Sequence, residues 1–190
     1  MLTPLPTEQW DDAARAALEG TVPPERRNRE NAGNALSTLV RHPELAGAFL
    51  PFNSYLQQDS SLPERIRELV ILRTAHRHGC VYEWGHHSAM GRHLGLSDGD
   101  IDSAQSGLSA DEFDQAILTA VDELLTQSRI SKPTWEKLGT HLDDRQRMDL
   151  MFTVGGYSTL ALALNTFDVP LEDGAGSAEF YDLADSGIGS

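Results

Sequence analysis

Glu83 and His87 lie four residues apart, the spacing that stacks a carboxylate and an imidazole on one face of a helix. A pair of that kind can take a proton from one atom and return it to another near neutral pH. Cys80, the single cysteine of the chain, stands one turn before Glu83, and Glu68 sits in the apolar stripe that precedes it. The run ELVILRTAHRHGCVYEWGHHSA, from Glu68 to Ala89, thus concentrates more proton-transfer and nucleophile chemistry than the rest of the sequence.

Each candidate has a chemical and a structural reading. Burial in its stripe would raise the pKa of Glu68 and suit it to proton shuttling; pairing with Arg65, Arg67 or Arg73 is the alternative. Cys80 at a helix start could be a nucleophile with a depressed pKa, although packing as a small hydrophobe is favoured. His76 could line a pocket as a second acid or base. Arg73, on the same helix as Glu68, is the most attractive holder of a substrate carboxylate, because guanidinium binds carboxylate bidentately; a structural salt bridge to Glu68 or another acid is the equal alternative. Trp84 and Tyr82 flank Glu83 as possible pocket walls or as filling for a helix seam. Asn53, Tyr55 and Tyr157 are further pocket candidates. The histidines fit no HExxH or comparable spacing, so no metal site is expected.

These side chains need helices to carry them. Ser61-Leu62-Pro63-Glu64 reads as a helix start, with Ser61 as cap. Ile66, Leu69, Val70, Leu72 and Ala75 give the stripe that follows, and Gly79 a left-handed stop. A second helix is expected from Cys80 to His93, ending at Gly95. Others start near Ser97, Ser109 and Ser131, and a long one spans Asp143 to Thr166, where Gly155-Gly156 implies close packing or a break. Upstream, a short helix is expected near Trp10 to Leu18. TVPPERRNREN reads as a connector with no regular element, and residues 33–58 as helical pieces interrupted at Pro43 and Pro51. No useful stretch alternates with a period of two, so the fold class is all-α.

With 190 residues, the chain is long enough for one domain with its own core. A lone cysteine excludes an intrachain disulfide. The net charge of −14, from 15 basic and 29 acidic residues, argues against nucleic acid and anionic lipid as partners. No opening stretch looks like a signal peptide and no run looks long enough to span a bilayer, which makes the cytoplasm the default location.

The stretch from Pro63 to Gly95 resembles the carboxymuconolactone decarboxylase family, which also contains the AhpD-like alkylhydroperoxidases. The peroxidase branch carries Glu-x11-Cys-x2-Cys-x3-His; Glu68, Cys80 and His87 fall on three of those positions, and Glu83 replaces the second cysteine. The closing segment RQRMDLMFTVGGYSTLALALNTFDVPLED is also similar to the family. The resemblance implies an AhpD-like helical bundle, a ring-type homotrimer or homohexamer, and a domain over 33–170 between an N-terminal arm and connector (1–32) and an acidic tail (171–190). Without a second thiol the peroxidase cycle cannot close within the chain. The resemblance therefore implies a cofactor-independent lyase or isomerase acting on a small carboxylated or lactone-type substrate by decarboxylation, lactone opening or isomerisation. Glu83 and His87 would be its acid–base pair, assisted by Glu68. The alternatives are a Cys80-dependent peroxidase using an external thiol, and a non-catalytic binding or structural member of the fold.

Overall fold

The computed structural model describes residues 1–173, and within them the only regular elements are helical. The acidic tail from 174 onward lies outside the described residues. After a 3₁₀ turn at Thr7–Gln9 come α1 (Asp12–Ala16), α2 (Gly33–Leu39) and α3 (Pro43–Ser54). The connector before α2 departs from expectation: Pro24 starts one 3₁₀ turn, Pro24–Arg26, because proline is preorganised for the first helical position. The same physics corrects Pro43, which opens α3 at its N-terminus instead of interrupting a helix. Pro51 lies inside α3, which runs past it and widens into a π turn at Tyr55–Asp59. Residues 1–32 are packed: Leu5, Trp10 and Leu18 bury against Val40, Ala46 and Leu50.

The centre of the molecule is α4 (Glu64–His78), buried at every residue from Ile66 to Ala75. A helix covered all round needs no polar stripe, which is why two arginines and a glutamate sit among its aliphatic residues. Gly79 ends it with φ +61°, the left-handed geometry glycine accepts without a steric penalty. Around α4 stand α5 (Val81–His93), α6 (Asp98–Ser106), α7 (Glu112–Gln127) and α9 (Asp144–Phe167), with α8 (Lys132–Leu138) packed on α7. Leu69, Val70 and Leu72 meet Ile117, Leu118, Val121, Leu138, Leu150 and Val154 in one apolar core.

Polar ties set the position of α4. Ser61 does not cap it: the N-cap is Pro63, and both the Ser61 amide and hydroxyl donate to Asp149 of α9 at 2.6 Å, where Tyr55 also donates at 2.9 Å. Arg65 donates to Asp100 and Asp114, fastening α4 to α6 and α7. At α7 the cap is Asp111, within the expected start at residues 109–112. Along α9 the Gly155-Gly156 pair causes no break; a Cβ on Gly156 would stand 2.5 Å from Leu56 Cδ1, whereas Gly155 faces open space. By length and composition α9 could cross a membrane, with a mean hydropathy of 1.2 over its most apolar window. That corrects the expectation that no run is long enough: 39% of that window is buried, and α9 packs along α4 as a core helix.

Candidate active site

Where α4, α5 and α9 meet, the bundle buries four ionisable groups and a phenol. Glu68, Glu83, Arg67 and His87 are each at most 7% exposed, and Tyr157 is 1% exposed. Glu68 comes from the middle of α4, Glu83 and His87 from successive turns of α5, and Tyr157 from α9. Gly91, one turn beyond His87, allows the approach of α5 to α4: a Cβ there would lie 3.7 Å from Glu68 Cβ and 3.2 Å from Leu96.

His87 Nδ1 and Glu68 Oε2 are 2.7 Å apart, and Arg67 Nε donates to Glu68 Oε1 at 3.3 Å. With Glu68 accepting from Nδ1–H, the ring is fixed in one orientation and Nε2 is the nitrogen left for a reactant. Tyr157 packs edge-on against the imidazole at 5.1 Å between centroids. This part of the site is held together by paired charges.

Glu83 is different. Neither of its carboxylate oxygens has a hydrogen-bond partner among the described residues. Burial pushes its pKa up to about 7, against the downward pull of His87 and of the Cys80 thiol beside it. A carboxyl with such a pKa exchanges its proton near neutrality, as a general acid–base group must. Tyr157 likewise has an unpartnered hydroxyl, and burial and the Glu68 charge hold its pKa well above the ordinary phenol value. One turn earlier on α9, the buried Thr153 hydroxyl also lacks a partner. Buried polar groups are normally satisfied, so several unsatisfied ones around a histidine mark a place built to receive something.

Cys80 joins this region as the N-cap of α5, 1% exposed and packed with Ala161, Leu164 and Val169. Its pKa is not depressed, as a helix start alone would suggest; burial, and then the neighbouring Glu83 charge, push it up to about 12. Near neutral pH the sulfur is a thiol.

Four expected site residues lie elsewhere. Arg73 donates to both oxygens of Asp122, at 2.9 and 2.7 Å, and to the carbonyls of Ala104 and Gln105, so it clamps α4 to α6 and α7 and has no carboxylate-binding fork to offer. His76 is exposed and meets Trp84 in a tilted ring contact, 5.6 Å between centroids; its place near the end of α4 turns it to solvent. Trp84 is half-buried against the main core. Tyr82 points the other way along α5 and donates to Glu172 at 2.9 Å. Glu172 also meets His86 at 2.8 Å, and Leu171 lies over Gly85, where a Cβ would come within 2.7 Å of its side chain. Residues 169–172 thus form a strap across the outer face of α5. Among the described residues no three His, Cys, Asp or Glu side chains are gathered as metal ligands. Arg67, considered from sequence only as a partner for Glu68, is the cation the structure puts in the site.

The profile of the Carboxymuconolactone decarboxylase family matches residues 43–125, which span α3 to most of α7 and contain every ionisable group of the site. No curated protein matches the chain. Among solved structures, an uncharacterised peroxidase-related protein with an alkylhydroperoxidase AhpD core from Ralstonia eutropha JMP134 is 17% identical, with TM-score 0.71 and coverage of 93% of this chain and 95% of that one. A protein of unknown function from Agrobacterium tumefaciens, suggested to be the antioxidant defence protein AhpD, is 22% identical with TM-score 0.62, covering 70% and 93%. The debrominase Bmp8 is 16% identical with TM-score 0.69, covering 90% and 92%. At these identities the likeness is one of fold.

Proposed function

We propose that this chain, whose residues 43–125 match the carboxymuconolactone decarboxylase family, is an enzyme that moves protons on a small carboxylated or lactone-type substrate without a cofactor. The observation that carries this reading is Glu83: a buried carboxyl with both oxygens unpartnered, a pKa of about 7, and a neighbouring imidazole oriented by Glu68. Glu83, when ionised, removes a proton from an acidic carbon. The resulting enolate oxygen is stabilised by His87 Nε2–H when the ring carries its second proton. In a decarboxylation the same step starts by losing carbon dioxide, and the carbanion then takes its proton from the His87–Glu83 pair. Glu68 touches no substrate in this scheme; it positions His87.

The alternative that uses Cys80 as a peroxidatic thiol is disfavoured by the burial and raised pKa of that thiol, since the thiolate is the nucleophile. Assembly as a homotrimer or homohexamer, implied by the family resemblance, would also cover the exposed Met148, Phe152 and Leu162 of α9.

The test is deuterium exchange into a panel of enolisable keto acids and lactones, followed by NMR. Catalysed exchange by the wild type that disappears in Glu83→Gln and His87→Gln supports the reading. No exchange with any member, or exchange that survives both substitutions, rejects it.

A further inference from the structure

Arg67 and Tyr157 flank the Glu68–His87 pair with more hydrogen-bonding capacity than that pair uses. Arg67 is 7% exposed, and its one hydrogen bond to the described residues is the 3.3 Å contact from Nε to Glu68. Its terminal nitrogens Nη1 and Nη2, which carry most of the guanidinium's donors, are bonded to none of those residues. The terminal donors of so buried a guanidinium are usually met within the protein, and the same helix shows that case: Arg73, equally buried, makes four hydrogen bonds. The Tyr157 hydroxyl is buried and unpartnered, and its ring packs at right angles to that of His87. Arg67 is close enough for its charge to pull the Tyr157 pKa down against burial.

We infer that Arg67 is the anion-binding residue of this site, its terminal nitrogens taking a substrate carboxylate beside the hydroxyl of Tyr157. Two buried carboxylates, Glu68 and Glu83, would otherwise repel an anionic substrate, and Arg67 is the cation that offsets them. The inference rests on the acid–base reading for what happens next, but the binding itself does not. It also narrows the substrate. Ion pairing stabilises a carboxylate's charge where it is, so loss of that group as carbon dioxide is opposed, because the interaction is weaker in the transition state than in the ground state. The carboxylate on Arg67 is therefore retained. Reaction occurs at a second centre of the same molecule: an acidic C–H, a lactone carbonyl, or a second carboxyl group.

Calorimetric titration with benzoate and its neutral isostere benzamide tests this. The wild type is expected to bind benzoate saturably, and benzamide about 10-fold more weakly or worse, a charge-assisted hydrogen bond's worth of affinity. Arg67→Gln is expected to lose about 10-fold or more for benzoate alone, with Arg67→Lys in between; if Arg67→Gln fails to fold, Arg67→Lys and the benzoate–benzamide comparison still decide the matter. Equal benzoate affinity in wild type and Arg67 variants, equal affinity for benzamide, or no binding of benzoate by the wild type overturns the inference. Arg67-dependent benzoate binding in a protein that catalyses no deuterium exchange upholds this site and rejects the acid–base reading. Exchange activity with Arg67-independent binding does the reverse.

Discussion

The two buried arginines of α4, six residues apart, show how one helix serves two ends. Around Arg73 four of the five N–H donors are matched: Asp122 takes two, two carbonyls take the others, and Gly107 leaves room, a Cβ there falling 2.4 Å from Nη2. Around Arg67 the accounts do not close: its Nη groups, both Glu83 oxygens and the Tyr157 hydroxyl have no partner among the described residues. A well-paired buried network makes a rigid joint. An incompletely paired one in the same core is costly to stability, and such costs gather where function requires them.

Removing each arginine is the largest test of that contrast. Arg73→Met removes two charged hydrogen bonds from Asp122, which keeps Arg77, and leaves two carbonyls unpaired, and should cost about 3–5 kcal/mol in denaturant unfolding. Arg67→Met loses one long ion-paired hydrogen bond to Glu68, which keeps His87, and should cost less, about 1.5 kcal/mol. Equal losses would erase the distinction between the two ends.

Next in size is the pH dependence that Glu83 brings to stability. Its folded pKa, about 7, lies above the ordinary 4.5, so the folded state binds the proton more tightly than the unfolded one. The associated stability is fully present below pH 4.5 and is lost as pH rises through about 7. Across that window the loss amounts to roughly 3 kcal/mol. Glu83→Gln, which cannot ionise, should flatten this loss and exceed the wild type in unfolding free energy under mildly alkaline conditions. A wild type that gains stability over that range would show the carboxyl to be solvated or paired.

Much of this plan was legible in the sequence, for reasons that differ by element. Gly79 and the i, i+4 pair of Glu83 and His87 are local, and local geometry placed them correctly. For Arg73 the sequence leaves an anion holder and a structural salt bridge equally open, because a helix buried on all sides gives no periodic clue to which arginine meets an acid from another helix; the structure selects the salt bridge, to Asp122, 49 residues away. Arg67 and Tyr157 were undervalued for the same reason, since what distinguishes them is the partners they lack. Ser61 looked like a cap, but Asp149 of α9 reaches it first. Pro43 and Pro51 were read as breaks, although a first-turn proline favours a helix and α3 tolerates the second near its end.

The smallest expected effect belongs to Cys80. Cys80→Ala should keep exchange activity within a few-fold of the wild type, and the native thiol should react with a disulfide reagent only slowly at neutral pH, as its burial and raised pKa require. Rapid labelling that abolishes activity would move the chemistry from the carboxyl to the sulfur.

The most direct measurement is the pH profile of kcat/KM for catalysed exchange, in wild type and Glu83→Gln. The wild-type profile should rise from acid and level off with an apparent pKa of about 7, as the ionised Glu83 becomes available, while Glu83→Gln should fall by 10²-fold or more and lose that rise. A flat wild-type profile, or the same rise in Glu83→Gln, would contradict the assignment of Glu83 as the base.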